Sequence, residues 1–131
     1  MFKRIDHVEI VTNQMDGTID FYTGVLGFKL KSRQKIGPPG GPQLEITYIT
    51  LGDTVVELLA FGGGAIEAAP QKEHLGYRMM ALEVGDMKQT TDYLKTKGVD
   101  IVWGPMNADD GIRAEICDNN GYHIELRQWL A

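Results

Sequence analysis

Two kinds of side chain in this sequence could hold a metal ion or move a proton: the histidines His7 and His123, and the glutamates Glu57 and Glu125, each set in an apolar run. In an extended strand, side chains i and i+2 share a face. His7 and Glu9 therefore point one way while Val8 and Ile10 point the other. Val55, Glu57 and Leu59 share a face opposite Val56 and Leu58, which leaves an acid in apolar company. His123 and Glu125 share a face opposite Ile124 and Leu126. Histidine and carboxylates are ligands suited to a divalent first-row metal, and a carboxylate can carry a proton in catalysis. Taken singly, each has a structural reading too, as a hydrogen-bonded strand histidine or a cross-strand partner of Lys or Arg. Recurrence at equivalent places in an internal repeat favours a site.

That repeat is legible when the halves are laid over each other. His7-Val8-Glu9-Ile10 falls on Met79-Met80-Ala81-Leu82, an offset of 72 residues. At the same offset Met15 meets Met87, Thr18 meets Thr90, Asp20 meets Asp92 and Phe21 meets Tyr93. Gly27-Phe28 then meets Gly98-Val99, and Val55-Val56-Glu57-Leu58 meets His123-Ile124-Glu125-Leu126. Glu125 is the repeat-mate of Glu57. The offset shrinks along the chain, as shorter loops in the second half would require.

The elements that must position these residues follow from periodicity. Residues 5–12, 43–51, 54–61, 79–84, 113–117 and 122–129 are β-branched, aromatic or apolar runs that read as strands, and Lys29, Lys31 and Arg33 alternate along another. Ile19, Tyr22 and Val25 or Leu26, then Met87, Thr91 and Leu94, have helical spacing, and Gly27 and Gly98 can cap those helices. Glycines and prolines gather at 37–42, 62–64 and around Gly104 and Pro105, which read as loops. Each half is predicted to run strand, helix, strand, strand, strand. The expected fold is a single α+β domain over residues 1–131, with two βαβββ modules in tandem (1–61 and 77–131) joined by a linker at 62–76. They form a curved mixed sheet with a concave cleft, one sheet face apolar and covered, the other free to line a cavity.

Four stretches now carry a resemblance: Ile5-Asp6-His7-Val8-Glu9-Ile10-Val11, Asp20-Phe21-Tyr22 leading to Leu26-Gly27-Phe28, Val56-Glu57-Leu58, and the ending from Asp118-Asn119-Asn120-Gly121 to Glu125-Leu126. Together they resemble the vicinal oxygen chelate superfamily, the glyoxalase, bleomycin-resistance and extradiol-dioxygenase group, over nearly the whole chain. The resemblance implies a divalent metal ion (Zn, Ni, Co, Mn or Fe) on the concave face. His7, Glu57 and Glu125 match three of its four ligand positions. The fourth, usually His, is Met79, and a thioether is a poor ligand for such ions. His74 lies five residues earlier and on the opposite face by strand parity, whereas His123 shares a face with Glu125 and is the better alternative ligand. By resemblance to glyoxalase I and methylmalonyl-CoA epimerase, the chain is expected to be a lyase or isomerase. It would move a proton next to a metal-chelated carbonyl or hydroxyl, with a general base drawn from Glu57 and Glu125, Glu125 being favoured. The two-His, one-Glu pattern of the dioxygenases is not met. Met79 favours the alternative, a metal-free protein that sequesters a small molecule in the manner of the bleomycin-resistance members.

Composition narrows the partners. Thirteen Lys and Arg against eighteen Asp and Glu leave a net charge of −5 with no basic block, which disfavours nucleic acid. The first twenty residues carry Lys3, Arg4, Asp6, Glu9, Asp16 and Asp20, too polar for a signal peptide or membrane span, so a cytoplasmic protein without membrane contact is expected. Cys117 is the single cysteine, read as an inert thiol. The 37–42 loop lacks a phosphate-loop ending and reads as a hairpin loop or lid. The Lys29, Lys31 and Arg33 row reads as a solvated edge strand rather than a greeting for an anion. A small-molecule substrate and, by family analogy, a homodimer complete the expectation.

Overall fold

The computed structural model describes residues 1–108 and 110–130. Ten elements follow in order: β1 (Val8–Val11), α1 (Met15–Gly24), β2 (Lys29–Ile36), β3 (Leu44–Leu51), β4 (Thr54–Phe61), β5 (Met80–Glu83), α2 (Met87–Thr96), β6 (Trp103–Ala108), β7 (Gly111–Cys117) and β8 (His123–Trp129). The chain divides into two compact units, Met1–Glu67 and a second beginning at Ala68. Each is a βαβββ module with its own four-stranded mixed sheet, ordered β1-β4-β3-β2 in the first and β5-β8-β7-β6 in the second. In both, the first strand runs parallel to the last, and the remaining pairs are antiparallel.

In the first unit, Ile10, Ile19, Tyr22, Phe28, Ile49, Val56 and Leu58 are buried, so the sheet packs against α1 through the face opposite Glu57. The Tyr22 and Phe28 rings meet edge to face at 5.4 Å. Helix α1 stops because Gly27 takes φ +82°, and the Phe28 amide then donates to the Tyr22 carbonyl at 2.9 Å. In the second unit, Met87, Leu94, Ala114, Ile116, Ile124 and Leu126 form the equivalent core. Asp86 caps α2, its carboxylate accepting from the Gln89 amide at 2.8 Å. The turn before β8 is set by Asp118, whose Oδ1 accepts from the amides of Asn120 and Tyr122, both at 2.9 Å. That turn fixes the parity of β8, and with it the face on which His123 and Glu125 stand.

The region around Gly104 and Pro105 is not a loop. It lies inside β6, where the register breaks between Trp103 and Met106. An edge strand accepts a proline because one side of it has no neighbour to receive an N–H, and a bulge absorbs the mismatch. Arg33 turns toward the helix side of its sheet, with Nη2 2.6 Å from Asp16 Oδ1 and 3.1 Å from Glu45 Oε1. Among the described residues, no helix is long and apolar enough to cross a membrane.

Candidate metal and substrate site

His7 and Met79 occupy the same structural place, each immediately before the first strand of its unit. From there the two units diverge. In the first, the parallel register sets Glu9 beside Glu57, and the antiparallel register sets Tyr48 on the other side of Glu57. His7 Nε2 lies 2.9 Å from Glu57 Oε2 and 3.5 Å from Glu9 Oε2. Ligand-type atoms of His7, Glu9 and Glu57 all fall within 4.8 Å of one another. Glu57 is buried, whereas Glu9 is exposed. Tyr48 is the cross-strand neighbour of Glu57, and burial, then the Glu57 charge, push the Tyr48 phenol above its usual range. Its ring meets that of His7 edge to face at 6.1 Å.

The other nitrogen of His7 is held as well. Nδ1 lies 2.9 Å from Asp6 Oδ2, so a proton on Nδ1 is donated to that carboxylate and Nε2 is aimed at the two glutamates. This is the carboxylate–histidine arrangement that orients imidazole ligands around metals. Both ring nitrogens face carboxylates, which favours the imidazolium. The His7 pKa is accordingly raised, first by the bond to Asp6 and then by the charge of Glu57. A raised folded-state pKa means that His7 favours the folded chain below its ordinary pKa near 6.5, and that this contribution fades as pH climbs through the raised value. Asp6→Asn removes the largest cause. It should bring the His7 ring titration, followed by NMR, back toward the ordinary value. An unchanged titration would show that Asp6 does not govern the ring.

The second unit has the same skeleton with different side chains. Ala81 stands beside Glu125 where Glu9 stands beside Glu57, and Glu115 faces Glu125 where Tyr48 faces Glu57. Glu125 Oε1 lies 3.2 Å from Arg113 Nε, an ion pair without a well-aligned hydrogen bond, and that guanidinium also sits over the Trp103 ring at 5.5 Å. His123, read from sequence as an alternative metal ligand or a residue of the substrate pocket, lines a cavity of the second unit and approaches Glu115 Oε1 through Nδ1 at 3.3 Å. Met79 Sδ lies 3.7 Å from Arg78 Nη1. Cys117 is half-buried opposite His123, and burial raises its thiol pKa, as suits an unreactive thiol.

The donor chemistry of the first unit fits a first-row divalent ion: an oriented imidazole, a buried carboxylate and a second carboxylate in reach. In the second unit Met79 does not fit such an ion, and Glu125 already has a cation against it.

The family model of the Glyoxalase/Bleomycin resistance protein/Dioxygenase superfamily matches residues 4–126. The chain belongs to this superfamily. It is 30% identical over 133 aligned positions to a lactoylglutathione lyase of Neisseria meningitidis, with 95% of this chain and 90% of that protein covered. Among solved structures it is similar to the glyoxalase family protein from Enterococcus faecalis, at 25% identity and TM-score 0.78, covering 96% of this chain and 98% of that one. It is also similar to the trypanothione-dependent glyoxalase I of Leishmania major, at 26% identity and TM-score 0.73, covering 97% and 87%. The stretches that carried the resemblance lie within the matched range. Asp20-Phe21-Tyr22 and Leu26-Gly27-Phe28 form the end of α1 and its exit, and the ending from Asp118 makes the turn into β8. Glu9, Tyr48, Glu115 and Arg113 were not singled out from sequence. Glu9 had a readable signal, since it shares a face with His7, whereas the other three depend on strand register.

Proposed function

We propose that this superfamily member is a glyoxalase-like lyase or isomerase using a divalent metal ion. Its first unit would hold that ion through His7 and Glu57, with Glu9 in reach. The observation that carries this reading is the two-sided hold on His7, with Asp6 on Nδ1 and Glu57 at Nε2. A bound ion of this class, whether Zn, Ni, Co, Mn or Fe, supplies Lewis-acid polarisation of two neighbouring substrate oxygens. Glu125 is the proposed proton acceptor at the carbon beside the substrate carbonyl or hydroxyl, with Arg113 Nε 3.2 Å from its Oε1. A small-molecule substrate and a homodimeric state belong to the same reading, by family likeness.

The similarity to lactoylglutathione lyase makes S-lactoylglutathione the first compound to test. Protein stripped by chelator and reloaded with each ion should bind at least one at micromolar concentration and turn over this thioester or a related 2-hydroxy or 2-oxo compound. Glu125→Gln should lower turnover about 10²- to 10⁴-fold, the usual size of a general-base contribution, while the ion still binds. Failure of every ion to bind would sink the reading.

Met79 and the Arg113–Glu125 pair favour a second reading, a metal-free protein that binds a small molecule. Met79→His discriminates between them. If the native chain binds no ion and the variant does, as read by calorimetry with Zn or Ni, the native site is an abandoned one and the second reading holds. If the native chain already binds an ion, the first reading holds.

A further inference from the structure

We propose that the second unit carries a metal-independent subsite for the carboxylate of a small organic acid, with Arg78 as its receiving group and the buried Glu115 as the residue that positions it. The proposal deepens the small-molecule reading above and does not depend on the metal. A cavity of about 410 Å³, within the size range of small-ligand sites, is lined by Lys72, Tyr77, Arg78, Glu115, Tyr122 and His123. Glu115 is the anchor, with only 9% of its side chain exposed. Its Oε1 lies 3.3 Å from His123 Nδ1, and its Oε2 lies 3.7 Å from Arg78 Nη2. Both oxygens thus face a nitrogen of the unit itself, and the buried charge is shared rather than left to repel an incoming anion.

Arg78 is differently placed. Its side chain is 69% exposed, its closest carboxylate is beyond hydrogen-bond distance, and its other contact is the weak acceptor Met79 Sδ at 3.7 Å. A guanidinium carries five N–H donors in a planar fork matched to a carboxylate, so Arg78 keeps donors for a ligand while Glu115 restrains its direction. Lys72 adds a second cation to the wall. Glu73, its sequence neighbour, is the competing carboxylate there. Tyr77 and Tyr122 supply aromatic surface for the body of the acid. Met79 thereby has a use of its own: a thioether beside Arg78 leaves the fork unclaimed, where a carboxylate would take it.

The test uses the full chain, stripped of metal by chelator, titrated with benzoate and with its neutral counterpart benzamide and followed by NMR of the arginine side chains and by calorimetry. Benzoate should bind saturably and shift the Arg78 side-chain signals, and benzamide should bind at least about tenfold more weakly, the scale expected of a charge-assisted hydrogen bond. Arg78→Gln, an exposed change, should lower benzoate affinity about tenfold or more, and Arg78→Lys should fall between, because it keeps the charge and loses the fork. Absence of saturable benzoate binding, equal binding of benzamide, or an unchanged affinity in Arg78→Gln would overturn the subsite. Discrimination that persists in stripped protein, together with no lyase activity after reloading with any of the ions, would leave the subsite standing and count against the catalytic reading alone.

Discussion

Glu57→Gln should abolish tight divalent-ion binding and, with it, turnover. The substitution keeps the shape of the side chain and removes the charge of the buried carboxylate that faces His7 Nε2 at 2.9 Å. Loss of an indirect partner of a metal-bound histidine already costs about 10- to 100-fold in affinity, so loss of a direct anionic ligand should cost at least about 100-fold. His7 should respond too, because the Glu57 charge is one of the causes that raise its pKa. Glu9→Gln, by contrast, alters an exposed carboxylate 3.5 Å from the same nitrogen and should have the smaller effect. Calorimetric titration of both variants with Zn or Ni checks the order. Equal affinities for Glu57→Gln and the native chain would remove Glu57 from the site.

Leu58→Ala should strongly destabilise the first unit. Leu58 is fully buried on β4, one residue from Glu57 and on the opposite face, with Ile10 as its parallel neighbour. Truncating a buried leucine costs about 2–5 kcal/mol, a large share of the roughly 5–15 kcal/mol that holds a domain folded. Leu30→Ala, at a half-exposed position of β2, should change stability by no more than about 0.5 kcal/mol. Urea unfolding of both variants tests the strand parity on which the site rests. A one-residue slip would reverse the faces, making Leu58 tolerant and Glu57 a core residue.

Much of this was readable before any coordinates. Two devices made it so: an internal repeat, which located equivalent strands, and period-two alternation, which assigned His7, Glu57, His123 and Glu125 to faces. Both depend only on local chemistry. The partners of those residues were not readable, because cross-strand neighbours are set by register, and register by hairpin turns far from the site. Thus Tyr48 beside Glu57, and Glu115 beside Glu125 and His123, emerged only from the sheets. The same cause hid the Arg113–Glu125 pair, which lies diagonally across β7 and β8. Asp6 was visible as a neighbour of His7, but its hold on Nδ1 depends on a rotamer that spacing cannot give. Gly104 and Pro105 misled in the other direction: residues that usually break a strand are tolerated in β6, an edge strand with a register break.

The role assigned to the first unit is tested most directly by nitrogen NMR of the histidine rings during titration of chelator-stripped protein with Zn. Three histidines are present, so each ring is resolvable by single substitution. The account predicts that the Nε2 signal of His7 moves to a metal-bound position at one equivalent, with His74 and His123 unmoved. A titration that leaves His7 unchanged, or that shifts His123 in its place, would contradict it.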